Sequence, residues 1–145
     1  MPPIETIIQN VAAALESRGA FRDVTTRPPD STGSPAVPRA HVVYDGHDVL
    51  LPDDSPTSLW GRVRLRVVVQ ARGNGGAGRE ARARELAGEA EAALLADPLR
   101  GGTCRDLPIG PATEIGGWSP VRDVRPPFAR LALSVRCHFE MEDAR

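Results

Sequence analysis

The run R-V-R-L-R-V-V-V-Q-A-R at 62–72 constrains this chain more than any other stretch. Val63, Leu65, Val67, Val69 and Ala71 alternate with Arg62, Arg64, Arg66, Gln70 and Arg72, and Val68 is the one break. Successive side chains of a strand point to opposite faces, so the spacing predicts a strand with one apolar and one cationic face. Such a strand belongs in an antiparallel sheet, covered on one side and open on the other. Leu131, Leu133, Val135, Cys137 and Phe139 repeat the alternation and predict the last strand over 128–140.

The cover for that sheet is also legible. Ile4, Ile7, Ile8, Val11 and Leu15 recur at three- and four-residue steps and predict a helix over 4–17. Glu5 and Arg18 suit its dipole, and Gly19 follows as a stop. Ala83, Leu86, Ala87, Ala90, Ala93 and Leu94 share one face of a second helix over 79–97, ended by Pro98. Its alanine stripe predicts close approach to the sheet.

Residues 21–24 read as a short strand or an extended link. The proline-rich 27–38 reads as a surface loop. A strand is expected over 39–44, and Asp45-Gly46 signals a turn. A return strand is expected to begin at 49–51, so 39–72 reads as a hairpin or meander with an acidic tip containing Asp48, Asp53 and Asp54. Leu107, Ile109 and Ala112 offer a strand broken by Pro108 and Pro111, whereas Gly116-Gly117-Trp118 reads as loop. Trp118 is the expected anchor of this long excursion, toward a partner or as simple packing. The whole predicts one α+β domain, 1–145. Its sheet is mostly antiparallel with about four strands, one helix packs across it, and the N-terminal helix lies alongside.

Composition narrows function by exclusion. The net charge is −1, so no whole-molecule field draws the chain to nucleic acid or membrane. All its basic residues are arginine, and 14 glycines with 14 prolines predict a loop-rich domain. No apolar run approaches the ~18 residues of a membrane span, and the N-terminus lacks a signal-peptide plan. Cys104 and Cys137 have no metal-ligand spacing and read as reduced thiols of a cytoplasmic protein.

No catalytic motif is present. Gly73-Asn74-Gly75-Gly76-Ala77-Gly78 sits between a strand and a helix like a phosphate loop, but no lysine follows it. It reads as a flexible connector. His41 and His138 alternate with apolar neighbours and read as sheet residues. His47 lies near Asp45 and Asp48, the right ligand types without a ligand spacing. The expectation is a non-enzyme with no cofactor and no metal. For the Arg62, Arg64, Arg66 row three readings stand: solvated strand decoration, an inter-subunit salt-bridge surface, or a nucleic-acid track. Aromatic residues are 4% of the chain, which counts against the last.

The order of elements resembles a known family. It runs helix, strand after a proline-rich loop, acidic-tipped hairpin, charged alternating strand, glycine linker, helix, long excursion, final strand. The phrase L-L-A-D-P-L-R-G-G-T-C-R-D-L at 94–107 is similar to the helix exit of tail terminator proteins of long-tailed phages, the minor tail protein U-like family. The segments 4–18, 59–72 and 128–139 fit the same plan. The resemblance implies a virion tail protein, assembled in the host cytoplasm, whose copies form a ring, usually a hexamer. Its implied partners are other copies of itself, the tail tube protein and the head-completion or connector protein. DNA would pass through without specific binding. Its implied task is to cap the tube, stop polymerisation and offer the docking surface for the head connector. The charged strand 62–72 and the acidic tip fall where that family places interface elements. The candidate interface is Arg62, Arg64 and Arg66 against acidic residues of an adjacent subunit or of the tube, with Asp48, Asp53 and Asp54 as the candidate acids, and Trp118. The alternative is a monomeric neck or adaptor module of a phage or phage-derived particle.

Overall fold

The computed structural model describes residues 2–29, 37–51, 58–73, 75–122, 124 and 127–142. The elements in chain order are α1 (Ile4–Ser17), β1 (Asp23–Thr25), β2 (Arg39–Leu50), β3 (Ser58–Arg72), α2 (Gly76–Ala96), β4 (Thr113–Pro120) and β5 (Phe128–Glu142). They form an α+β domain with a five-stranded sheet in the order β1-β2-β3-β5-β4. β1 runs parallel to β2 and every other pair is antiparallel. The expected mostly antiparallel sheet of about four strands therefore gains one, β1, whose parallel pairing with β2 makes the sheet mixed as expected.

β3 is the centre of the sheet because it pairs along nearly its whole length on both sides. Arg39 to Leu50 flank it on one edge and Phe128 to Glu142 on the other. Its predicted apolar face is the core face: Val63, Leu65, Val67, Val69 and Ala71 are all buried. Leu133, Val135, Cys137 and Phe139 of β5 and Ala40 and Val42 of β2 extend that face. α2 lies across β3 and β5. Ala83, Ala87, Ala90 and Ala93 are buried on its inner side, where small side chains let the helix approach the sheet. α1 packs beside it through Ile7, Ile8, Val11, Ala12 and Leu15, and Arg18 Nε meets Glu89 Oε2 of α2 at 2.5 Å. Burial of such apolar stripes supplies most helix stability in a domain of this size.

Two glycine-containing pairs expected as turn or loop are bulges inside strands. β2 continues through Asp45-Gly46 with a register shift between Tyr44 and His47, so 49–51 is no return strand. The shift is forced by β3, which supplies pairing partners far past the predicted turn. Gly46 takes φ +109°, and a Cβ there would stand 2.6 Å from Arg64 Nη2. Likewise, Gly116-Gly117 lies within β4, at a register shift between Ile115 and Trp118. The expected strand at 107–112 is reduced to one bridge between Leu107 and Gly110.

The glycine stretch divides in two. Helix α2 begins at Gly76, earlier than the expected 79, and Gly75 at φ +88° precedes it. Gly73 makes the reversal possible, because a Cβ on it would meet Arg79 N at 2.7 Å. At the other end, Arg100 adopts φ +50° and is 1% exposed. Its Nη2 donates to the carbonyls of Leu94 and Asp97, which caps the negative end of α2 from inside. The buried thiols of Cys104 and Cys137 adjoin it.

Candidate functional site

The helix-free face of the sheet collects the charged positions. Asp48 on β2, Arg64 on β3, Arg136 on β5 and Glu114 on β4 form one row across four strands. Arg64 and Arg136 are register partners, as are Arg136 and Glu114. Like charges directly opposite each other repel. Here each guanidinium has a carboxylate on its outer flank: Arg64 Nη1 donates to Asp48 Oδ2, and Arg136 Nε lies 3.0 Å from Glu114 Oε2. All four side chains are between a third and a half exposed, so the pairs hold geometry more than stability.

Arg62 differs from its neighbours. It is half-buried, and its Nε donates to His138 Nε2 at 3.0 Å while Nη2 donates to Ile109 O at 3.3 Å. His138 is fully buried and its Nδ1 donates to Pro111 O at 2.6 Å. A carbonyl only accepts, so the proton is on Nδ1 and Nε2 is free to accept from Arg62. The pair ties the 107–112 segment to the sheet. Arg66, by contrast, is exposed, and borders a small depression with Asp45, Ser119 and Ser134.

The predicted interface residues therefore separate. Arg62 is committed to internal structure, Arg64 and Asp48 pair within one chain, and Arg66 faces outward. Asp53 and Asp54 lie outside the described residues. Trp118 sits on the core face opposite Leu133, half-buried, and its indole N–H donates to Glu91 of α2. In the described structure it fastens β4 to the helix. The Asp45, His47 and Asp48 group is not gathered either: His47 Nδ1 bonds the Tyr44 hydroxyl, and Asp48 turns to Arg64. Among the described residues, no cluster of three His, Cys, Asp or Glu side chains stands where a metal ion would fit.

The lower end of this face is closed without a helix. His41, Val68 and Gln70 are buried there, although they point away from α1 and α2. His41 Nδ1 lies 3.0 Å from Arg27 O, which draws the chain after β1 across the face, and Arg130 Nε donates to Gln70 Oε1 at 2.7 Å. Burial pushes the His41 pKa down, opposed by the Arg27 carbonyl bond, and holds the ring neutral. Arg39 Nε is 2.8 Å from Asp23 Oδ2 across the β1–β2 edge, an ion pair without hydrogen-bond alignment. In the core, Cys104 and Cys137 shift in opposite directions. The hydrogen bond between them raises Cys104, with burial adding, and lowers Cys137.

Sequence reasoning missed two features. The partners of the arginine row, Glu114 and His138, are distant in sequence, and only strand register brings them alongside. A hollow of about 470 Å³ between the start of α2, the end of β4 and the start of β5 was also unseen. Ala83, Val121, Phe128 and Leu131 line it, with Arg79 and Arg84 among its charged residues. Among the described residues no helix is long and apolar enough to cross a membrane.

No protein-family model matches the chain, and no curated protein matches it. Among solved structures, a chain from the virion of a native gene transfer agent particle is similar. The match has 17% identity, covers 93% of this chain and 92% of that one, and has a TM-score of 0.37.

Proposed function

We propose that this chain is a structural subunit of a phage-like tail. Copies of it ring the end of the tail tube, stop its polymerisation and present the docking surface for the head connector. The observation that carries this reading is the element order. Helix, long hairpin, helix, excursion and closing strand agree with the plan of the tail-terminator resemblance, to which the fold adds β1 before the proline-rich stretch and β4 within the excursion. The phrase 94–107, which bears the closest likeness, forms the α2 exit locked by Arg100. The charged row on the helix-free face gives the ring a surface of defined pattern. Its pattern, two guanidinium groups flanked by two carboxylates, suits register between protein subunits more than affinity, because exposed pairs contribute only about 0–1 kcal/mol each. DNA is read as passing through such a ring without specific contact, since strong phosphate contacts would hold it back.

The test is removal of the gene from the producing strain, with tails measured by electron microscopy. The reading expects tubes of uncontrolled length and heads without tails. Tubes of normal length that merely fail to join heads would instead favour a single-copy neck or adaptor module. Complementation with Arg66→Glu plus Arg136→Glu tests the charged face separately. Full restoration of tail length would remove that face from the interface.

A further inference from the structure

We propose that Cys104 and Cys137 form a buried, oxidisable couple, in which Arg100 holds Cys137 as a thiolate and hydrogen peroxide closes the pair into a disulfide. Arg100 is 1% exposed. Its Nη2 is satisfied by the carbonyls of Leu94 and Asp97, whereas Nε and Nη1 are buried without a hydrogen-bond partner among the described residues. A guanidinium stays protonated, and a buried charge without a counter-ion is costly. The negative end of α2 answers part of that charge. Asp97 also acts on Arg100, but it is exposed and its Oδ2 accepts from Gly101 N at 2.7 Å. The other groups acting on Arg100 that can carry a full negative charge are the thiols of Cys137 and Cys104, 0% and 2% exposed.

The fold brings the two sulfurs together from distant segments. Cys104 N donates to Leu99 O at 2.9 Å beyond the end of α2, and Arg105 N donates to His138 O at 3.1 Å. Residue 104 is thereby laid beside 137 on β5, and the thiols share a hydrogen bond. Cys137 is the sulfur that ionises. The bond from Cys104 lowers its pKa most, burial opposes, and the Arg100 guanidinium lowers it again. Cys104 keeps its proton, because that bond and burial both push its pKa up. The strand neighbours of Cys137 bring no competing charge. Val63 on β3 is apolar, and Thr113 on β4 gives its hydroxyl proton to Pro98 O at 2.6 Å.

A thiolate is the nucleophilic form of cysteine. Hydrogen peroxide, little larger than water, reaches a core thiol through local opening. The Cys137 sulfur attacks one peroxide oxygen, the O–O bond breaks, and hydroxide leaves to take up a proton, which gives the sulfenic acid. Cys104 then gives up its proton, its sulfur bonds that of Cys137, and the sulfenic oxygen departs as water. Two thiols and one peroxide thus become one disulfide and two waters. The product joins the α2 exit to β5 across the excursion that carries β4, so oxidation staples that excursion to the sheet. Nothing in this chemistry depends on a role in a tail.

The test treats the full chain with hydrogen peroxide at pH 6, 7 and 8 and maps the products by mass spectrometry. The expected product is a monomer lighter by two hydrogens, with residues 104 and 137 joined. Its rate of formation should vary by less than about two-fold across that range, whereas a thiol of pKa about 8.5 would gain close to ten-fold per pH unit. Arg100→Met should bring that rise back. Cys104→Ser keeps a hydroxyl donor, so it should keep the flat profile but stop at a sulfenic acid on Cys137 that dimedone traps. The thiolate is read directly at pH 7 as the ultraviolet absorbance that the parent and Cys104→Ser show and Cys137→Ser lacks, a measurement that decides even where Arg100→Met does not fold. A parent rate that climbs with pH, a disulfide between separate chains, no thiolate band at pH 7, or a flat profile in folded Arg100→Met would each overturn the proposal.

Discussion

Gly61 on β3 lies beneath the ring of Phe139 on β5, and a Cβ on that glycine would fall 2.0 Å from the phenyl Cζ. The two are register partners, and the ring covers backbone that a side chain would otherwise occupy. Glycine is thus required here by close approach and not by its backbone angles. Gly61→Ala is expected to destabilise the fold by about 1–3 kcal/mol, the usual cost of overpacking. Urea denaturation measures it, and Phe139→Leu in the same chain should return part of the loss.

The arginine row should split by context. Arg62→Met leaves the His138 Nε2 and Ile109 carbonyl acceptors without their donor, and an unmade buried bond costs about 1–3 kcal/mol. Arg66→Met is expected to stay within about 0.5 kcal/mol of the parent, as surface changes do. Equal midpoints for the two variants in urea would contradict the geometry of Arg62.

Arg64 and Asp48 should couple weakly. A double-mutant cycle with Arg64→Met and Asp48→Asn is expected to give about 0–1 kcal/mol at low salt. The value should shrink toward zero in 1 M sodium chloride, where the Debye length is about 3 Å. A coupling that resists salt would mean that the pair is more enclosed than its exposure indicates.

Stability should fall as the solution is acidified through the ordinary histidine range. Burial lowers the folded-state pKa of His41, so the unfolded chain takes up this proton first. The resulting loss begins near 6.5, the unperturbed value, and ends once pH drops below the lowered folded-state value. Above about pH 7.5 His41 contributes no slope. Asp23 opposes the shift, whereas Arg39 and Arg130 reinforce it. Thermal melts between pH 5 and 8 should therefore show a falling Tm at the acid end, with a smaller drop in His41→Gln.

Several elements were legible because their signal is local. The alternation at 62–72 is enough to make a strand with one apolar face, since a period of two has no other regular backbone. The stripes at 4–15 and 83–94 similarly determined two helices and the faces they bury. The composition and the 94–107 phrase are equally properties of the chain alone.

Tertiary structure decided what local chemistry leaves open. Asp45-Gly46 favours a turn in isolation, yet β3 runs on and supplies hydrogen-bond partners that convert it to a bulge. Gly116-Gly117 has little strand propensity, and becomes strand because it lies along the outer edge of β5. The fate of the arginines followed the same logic. Arg62, Arg64 and Arg66 look equivalent in sequence, but register set Arg62 beside His138, the Asp48 carboxylate reaches diagonally past the bulge to Arg64, and Arg66 is left outward. The repeat itself specified that three guanidinium groups share one face. Which of them is internal, paired or available depends on residues 16 to 76 positions away, and only the assembled sheet brings those together.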